Sequence, residues 1–192
     1  MKDRILQNIS GHMEVMASLA DDDELIGTIG EATRIILGSL RAGGRLFLFG
    51  CGGSAADAQH IAAEFVNRMN RERAALPAVA LTTDSSVITA IGNDDSFDHI
   101  YSRQVEALTR QGDVVMGIST SGESESVLLA LRVARERGAT AILLTGCRPG
   151  SFTRTADLVI RVPSDSTPRI QEAHITIAHI IATIVEEEFF HG

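Results

Sequence analysis

Two short apolar runs, residues 46–49 and 114–118, each end in a turn rich in glycine and hydroxyls that opens a helical stretch. Runs this short and this apolar read as strands buried on both faces. Similar runs at 78–81, 141–144 and 158–162 bring the expected strands to five. Helical periodicity fills the intervals: to about residue 68 after the first strand, 85–92 and 97–109 after the second, 123–137 after the third, and about 168–188 after the fifth. Strands alternating with helices imply an α/β fold, a five-stranded parallel sheet flanked by helices, with ligands at the carboxyl ends of the strands.

Ahead of the sheet, Ile5, Ile9, Met13, Met16 and Leu19 recur at helical spacing. Asp21-Asp22-Asp23 is placed to cap a second helix, which carries Leu25, Ile29, Ile36, Leu37 and Leu40 and stops at Gly43-Gly44. The expectation is a single domain, 1–192, with a helical segment at 1–43 that serves oligomer formation.

Several function classes are excluded early. The formal net charge is −8, with no basic block, so binding nucleic acid by phosphate neutralisation is not expected. No run is long and apolar enough to span a membrane. The start, Met1-Lys2-Asp3-Arg4-Ile5, lacks the apolar region of a secretory leader. Cys51 and Cys147 form neither a CxxC pair nor a disulfide framework, which points to a reducing cytoplasm.

Gly50, Gly52 and Gly53 lie between a strand and a helix, followed by Ser54 as a candidate cap. Glycine lets the backbone approach a ligand, and helix N-terminal amides favour an anion such as phosphate. Gly50, Gly52 and Ala55 also satisfy a dinucleotide pattern, but Thr82-Thr83 stand where an acidic residue should end the second strand. The second loop, Ser119-Thr120-Ser121-Gly122-Glu123-Ser124, again opens a helix and crowds hydroxyls round one glycine. That composition suits a phosphate cradle. No Walker lysine is present, so triphosphate hydrolysis has no support.

His60 and Glu64 share a helix face at i, i+4. The last helix sets Gln171, His174 and His179 among Ile170, Ile175, Ile177, Ile180 and Ile181. Polar groups on so apolar a helix need partners. Two readings stay open: satisfied core polar groups, or a metal or proton-transfer cluster of His60, Glu64, Gln171 and His179. Arg68, one further turn along, suits an anion clamp or a helix-end charge. Asn93-Asp94 reads as a turn or a substrate contact, and Cys51 as a small packing residue.

Taken together, GGSAADAQHIAAEF, LTTDSSVITAIGNDDSF, GDVVMGISTSGES and TPRIQEAH…AH resemble the sedoheptulose 7-phosphate isomerase (phosphoheptose isomerase) family of the SIS fold, over nearly the whole chain. The resemblance implies a flavodoxin-like three-layer sandwich with N-terminal helices and a long C-terminal helix. It implies conversion of sedoheptulose 7-phosphate to D-glycero-D-manno-heptose 7-phosphate, leading to lipopolysaccharide heptose, by a homotetramer with sites at subunit contacts. By motif, Gly52, Gly53, Ser54, Ser119, Thr120, Ser121 and Ser124 would meet the phosphate. Arg68, Asn93, Asp94 and Gln171 would meet the rest of the substrate. Glu64 would be the base at C2 and His179 the acid–base at C1. His60, Glu64, Gln171 and His179 match the zinc ligands of metal-containing members, which implies one Zn2+ per subunit. Two positions depart from the family: Cys51 stands where Asn is usual, and Pro168 where some members carry Asp. A non-catalytic alternative exists among SIS proteins, in a replication-initiator-binding paralogue and in sugar-phosphate sensors. The presence of both Glu64 and His179 speaks for the enzyme.

Overall fold

The structure, a computed structural model, describes residues 1–148, 150 and 155–191. Two helices, α1 (Lys2–Ala20) and α2 (Asp23–Arg41), precede the sheet. There follow β1 (Leu46–Gly50), α3 (Gly53–Val66), β2 (Ala78–Ala80), α4 (Ser85–Asp94), a single 3-10 turn (Phe97–His99) and α5 (Ser102–Leu108). The chain continues through β3 (Val114–Ser119), α6 (Glu125–Glu136), β4 (Thr140–Thr145), β5 (Leu158–Arg161) and α7 (Thr167–His191). The strands lie in the order β2-β1-β3-β4-β5, and every pairing is parallel.

Alternation along the strands divides the core into two layers. Leu46, Leu48, Met116, Ile142 and Leu144 pack with Ile36 of α2, Ile61 and Phe65 of α3, and Ile177 and Ile181 of α7. Phe47, Phe49, Val115 and Leu143 pack on the other side with Tyr101, Val105, Val127 and Leu131. Each such fully buried side chain contributes roughly 1.5–3 kcal/mol of transfer free energy. The helix after β1 therefore covers one face and the helix after β3 the other. Because β1 and β3 are neighbours, their carboxyl ends diverge into a crevice, the point where open α/β sheets take ligands.

Local chemistry sets the element ends. The Asp22 carboxylate accepts from the Leu25 amide at 2.9 Å and starts α2; Asp84 does the same for α4 through Val87, at 3.0 Å. The helix expected over 97–109 is a 3-10 turn (Phe97–His99) followed by α5 (Ser102–Leu108), and three boundaries near candidate site residues also differ from the sequence reading. α3 ends at Val66, short of Arg68, because its terminal carbonyls are taken by Arg73. Asn93 and Asp94 close α4 instead of forming a turn: the Asp95 amide still reaches the Ile91 carbonyl at 3.0 Å. Glu123 lies outside α6, whose N-cap position is Ser124.

Candidate active site

The glycine turn and the hydroxyl loop lie side by side, with Gly50 in register with Ile118. Gly52 is the N-cap position of α3 and adopts φ +61°, a region glycine enters without strain. Ser54, the expected cap, is instead inside the first turn and buried. Cys51 Sγ sits 3.4 Å from Ser126 Oγ and 3.7 Å from Ser124 Oγ, which are themselves 3.2 Å apart. Beneath the turn, the Tyr101 hydroxyl donates to the Gly50 carbonyl at 2.5 Å, its ring stacked on Phe49. Burial pushes the Tyr101 pKa up, so it stays a donor.

Among the described residues neither α3 nor α6 is capped by a side chain at its N-terminus. Both helices thus turn the positive ends of their dipoles to the crevice, with the Ser54 and Ala55 amides of α3 bonded back to the Cys51 and Gly52 carbonyls at 3.2 and 3.1 Å. Ser119 is buried, while Thr120, Ser121 and Ser124 are half-buried around it. Residues 50–54 and 119–124 contain no lysine or arginine. Apart from the exposed Glu123 and the Cys51 thiol, the side chains here are hydroxyls, so an anion would be held by hydroxyls and amides with no cationic side chain from these segments.

Gln171 reaches this turn from α7. A Cβ on Gly53 would stand 2.3 Å from Gln171 Nε2, so the amide rests directly on the backbone there.

One layer over, α3 and α7 pack against each other. His60 Nε2 is 3.1 Å from Glu64 Oε1 and 3.4 Å from His179 Nε2. Ligand-type atoms of His60, Glu64 and His179 all lie within 4.8 Å of one another. Four-coordinate zinc with bonds of ~2.0–2.1 Å sets neighbouring donors about 3.3 Å apart. Two of the three spacings already match, and two imidazoles with one carboxylate leave a position open, as in catalytic zinc sites. The donor set therefore fits such an ion.

Asp57, one turn before His60, completes the surroundings. Burial pushes its pKa up, and the nearby His60 and His179 pull it down. Its Oδ2 is buried and has no hydrogen-bond donor among the described residues. The sequence reading passed over it, although 57, 60, 61 and 64 form one helical stripe that would have marked it. Tyr101 was missed for a different reason: its contact with Gly50 spans 51 residues.

Three sequence candidates stand apart from this group within the chain. Arg68 is exposed beyond the end of α3 and pairs with Glu72, not Glu64. Asn93 Nδ2 donates to Asp94 Oδ1 at 2.7 Å, and both are exposed.

The same frame occurs in known proteins. A family model described as "SIS domain" matches residues 13–146. A phosphoheptose isomerase of Geobacter sp. (strain M21) is 53% identical over 190 residues, covering 99% of this chain and 98% of that one. The chain belongs to the phosphoheptose isomerase family. A solved phosphoheptose isomerase from Neisseria gonorrhoeae superposes with a TM-score of 0.90 at 40% identity, covering 97% of this chain and 98% of that one. One from Francisella tularensis gives 0.92 at 34% identity, covering 96% and 97%. Coverage at this level takes in both helices that carry the His–Glu–His group. No helix among the described residues is long and apolar enough to cross a membrane.

Proposed function

We propose that this chain is an aldose–ketose isomerase converting sedoheptulose 7-phosphate to D-glycero-D-manno-heptose 7-phosphate. The observation that carries this is a carboxylate and two imidazoles within 4.8 Å of one another on packed helices, in a chain that also sets two hydroxyl- and glycine-rich helix starts side by side. Membership of the phosphoheptose isomerase family supports it.

The reaction moves hydrogen between two adjacent carbons without net oxidation. From the ketose, His179 takes the proton at C1; the released electron pair forms the C1–C2 double bond of an enediol as O2 gains a proton. C1 then becomes the carbonyl carbon as O1 loses its proton, and Glu64 delivers a proton to C2. In reverse, Glu64 is the base at C2. Glutamate and histidine share such work in triose phosphate isomerisation. Each positioned group is worth about 10²–10⁴ in rate.

In this reading Gly52, Gly53, Ser54, Ser119, Thr120, Ser121 and Ser124 hold the phosphate, remote from the bonds that change. Gln171 meets the sugar beside Gly53. Arg68, Asn93 and Asp94 enter through the family resemblance alone. His60, Glu64 and His179 would hold one Zn2+ per subunit, with Gln171 as a further ligand through the family resemblance alone; when bound, the ion would polarise sugar oxygens as a Lewis acid.

The assembly is read as a homotetramer of single SIS domains in the cytoplasm, its product leading to lipopolysaccharide heptose. A groove of about 680 Å³ between α2 and α7, lined by Ile26, Ile29, Leu37, Ile180 and Ile184, supports self-association. So does the exposed row Ile5, Leu6, Ile9 and Met13 on α1. Ile180 adjoins His179, so a subunit seated in the groove comes close to the site.

The test is conversion of sedoheptulose 7-phosphate by wild type, Glu64→Gln and His179→Gln. Turnover by wild type, reduced at least about 10²-fold in each variant, is expected. No turnover by wild type, with zinc present, would move the chain to the non-catalytic SIS binding proteins.

A further inference from the structure

α3 carries Glu64 and α7 carries His179, and nothing within either helix fixes the distance between them. Apolar packing of Ile61 and Phe65 with Ile177 and Ile181 draws the two helices together, and the end of α3 adds a directed link. A helix leaves its last carbonyls without intrahelical donors, and here one guanidinium supplies them. Arg73 Nη2 donates to the carbonyl of Glu64 itself at 2.7 Å, and Nη1 to that of Phe65 at 2.7 Å. Nη1 also reaches the Ala74 carbonyl at 3.0 Å.

The remaining donor of the same fork points to α7. Arg73 Nε donates to Glu186 Oε1 at 2.8 Å. Glu186 also accepts from the Met69 amide at 2.9 Å and the Asn70 amide at 2.8 Å. It follows His179 by about two turns on the same face of α7. The two side chains are 4% and 2% exposed. Burial alone would push the Glu186 carboxyl up; the two amides and Arg73 outweigh it and hold the pKa below the ordinary value.

We propose that Arg73 and Glu186 are positioning residues, a buried clamp that ties the backbone of Glu64 to the helix of His179. The assignment rests on the proton-transfer roles proposed above. A buried ion pair is a poor device for stability alone, since its desolvation cost rivals its attraction, and a packed apolar pair would serve as well. What an apolar pair lacks is direction. The planar guanidinium holds several groups at set angles, and one of them is the carbonyl of Glu64, whose carboxylate is the proposed base. Displacement of a reacting group by about 1 Å costs on the order of 10²-fold in rate.

Arg73→Lys keeps the charge and loses the fork; Glu186→Asp keeps the charge and shortens the reach. Each is assayed well below its melting temperature, with the folded fraction measured by circular dichroism. The clamp predicts that kcat per folded enzyme falls about 10- to 100-fold while KM stays within about twofold, and that the ring NMR signals of His60 and His179 move. If one variant does not fold, the other is read. Wild-type kcat in the folded variants, or a rise in KM alone, overturns the proposal. If wild type itself shows no turnover, the isomerase assignment fails, and the clamp is judged on the histidine signals: displaced signals support it and unmoved signals overturn it.

Discussion

Gly53 is held to glycine by a neighbour, whereas Gly52 is held by its own backbone. At Gly52, φ is +61° and open space surrounds the missing Cβ. With ψ −123° this is the mirror image of extended backbone, not the left-handed helical well, so alanine there meets backbone strain alone, on the order of 1–3 kcal/mol. At Gly53 a Cβ would collide with Gln171 Nε2, and no positive φ is involved. Gly53→Ala is therefore expected to leave the fold intact, drive Gln171 off the turn and lower kcat/KM at least about tenfold. Assay beside a thermal melt checks this, and full activity in a normally folded variant would make Gln171 a bystander. The sequence shows three glycines in a row of four residues and cannot distinguish these demands, because one is set by a helix 118 positions away.

At the scale of elements, α7 carries a polar residue that the site does not use. His174 is fully buried, and neither ring nitrogen makes a hydrogen bond among the described residues. Burial lowers its pKa from 6.5 to about 4, with the Thr145 carbonyl nearby opposing weakly. The sign follows from proton uptake. Between those values the unfolded chain binds a proton that the folded chain refuses, so stability is full above pH 6.5 and falls towards pH 4. The loss amounts to about 3 kcal/mol over that window. His174→Leu is expected to flatten this limb. Urea midpoints at about pH 7 and pH 5 compare the two proteins, both of which carry Glu186, so its contribution cancels; equal slopes would refute it.

Elements also show what was legible. The five strands stood out because parallel strands buried on both faces are unbroken apolar runs. Asp22, within the Asp21-Asp22-Asp23 run, acted as the local signal it is; the Asp84 cap was not read from the sequence. The end of α3 was overrun because its periodicity continues to Met69, while the group that stops it, Arg73, works through its fold contacts. Asn93-Asp94 passed for a turn because Gly92 precedes them, yet a helix once capped tolerates a glycine near its end. The pairing of α3 with α7 could be named from motif resemblance, but the Arg73–Glu186 clamp spans 113 residues and leaves no local trace.

For the whole molecule, exposed apolar surface runs along α1 and into the groove between α2 and α7. Ile9 and Met13 are 51% and 63% exposed, and Ile184 is 39% exposed. Under the tetramer reading, Ile9→Asp and Ile184→Asp remove the drive for association while leaving both core layers untouched. Sedimentation should show smaller species at concentrations where wild type is a tetramer. A monomeric wild type would refute the assembly. If dissociated variants lose turnover, the site needs its neighbour.

His60 and Glu64 precede four of the five strands, and His179 follows them all. If Glu64 and His179 act as proposed, the chain lays down both loops and most of its core during synthesis before the acid–base pair can form. Its chemistry would then be acquired in one late event, the docking of a single helix, and incompletely made copies would be inert towards sugar phosphates.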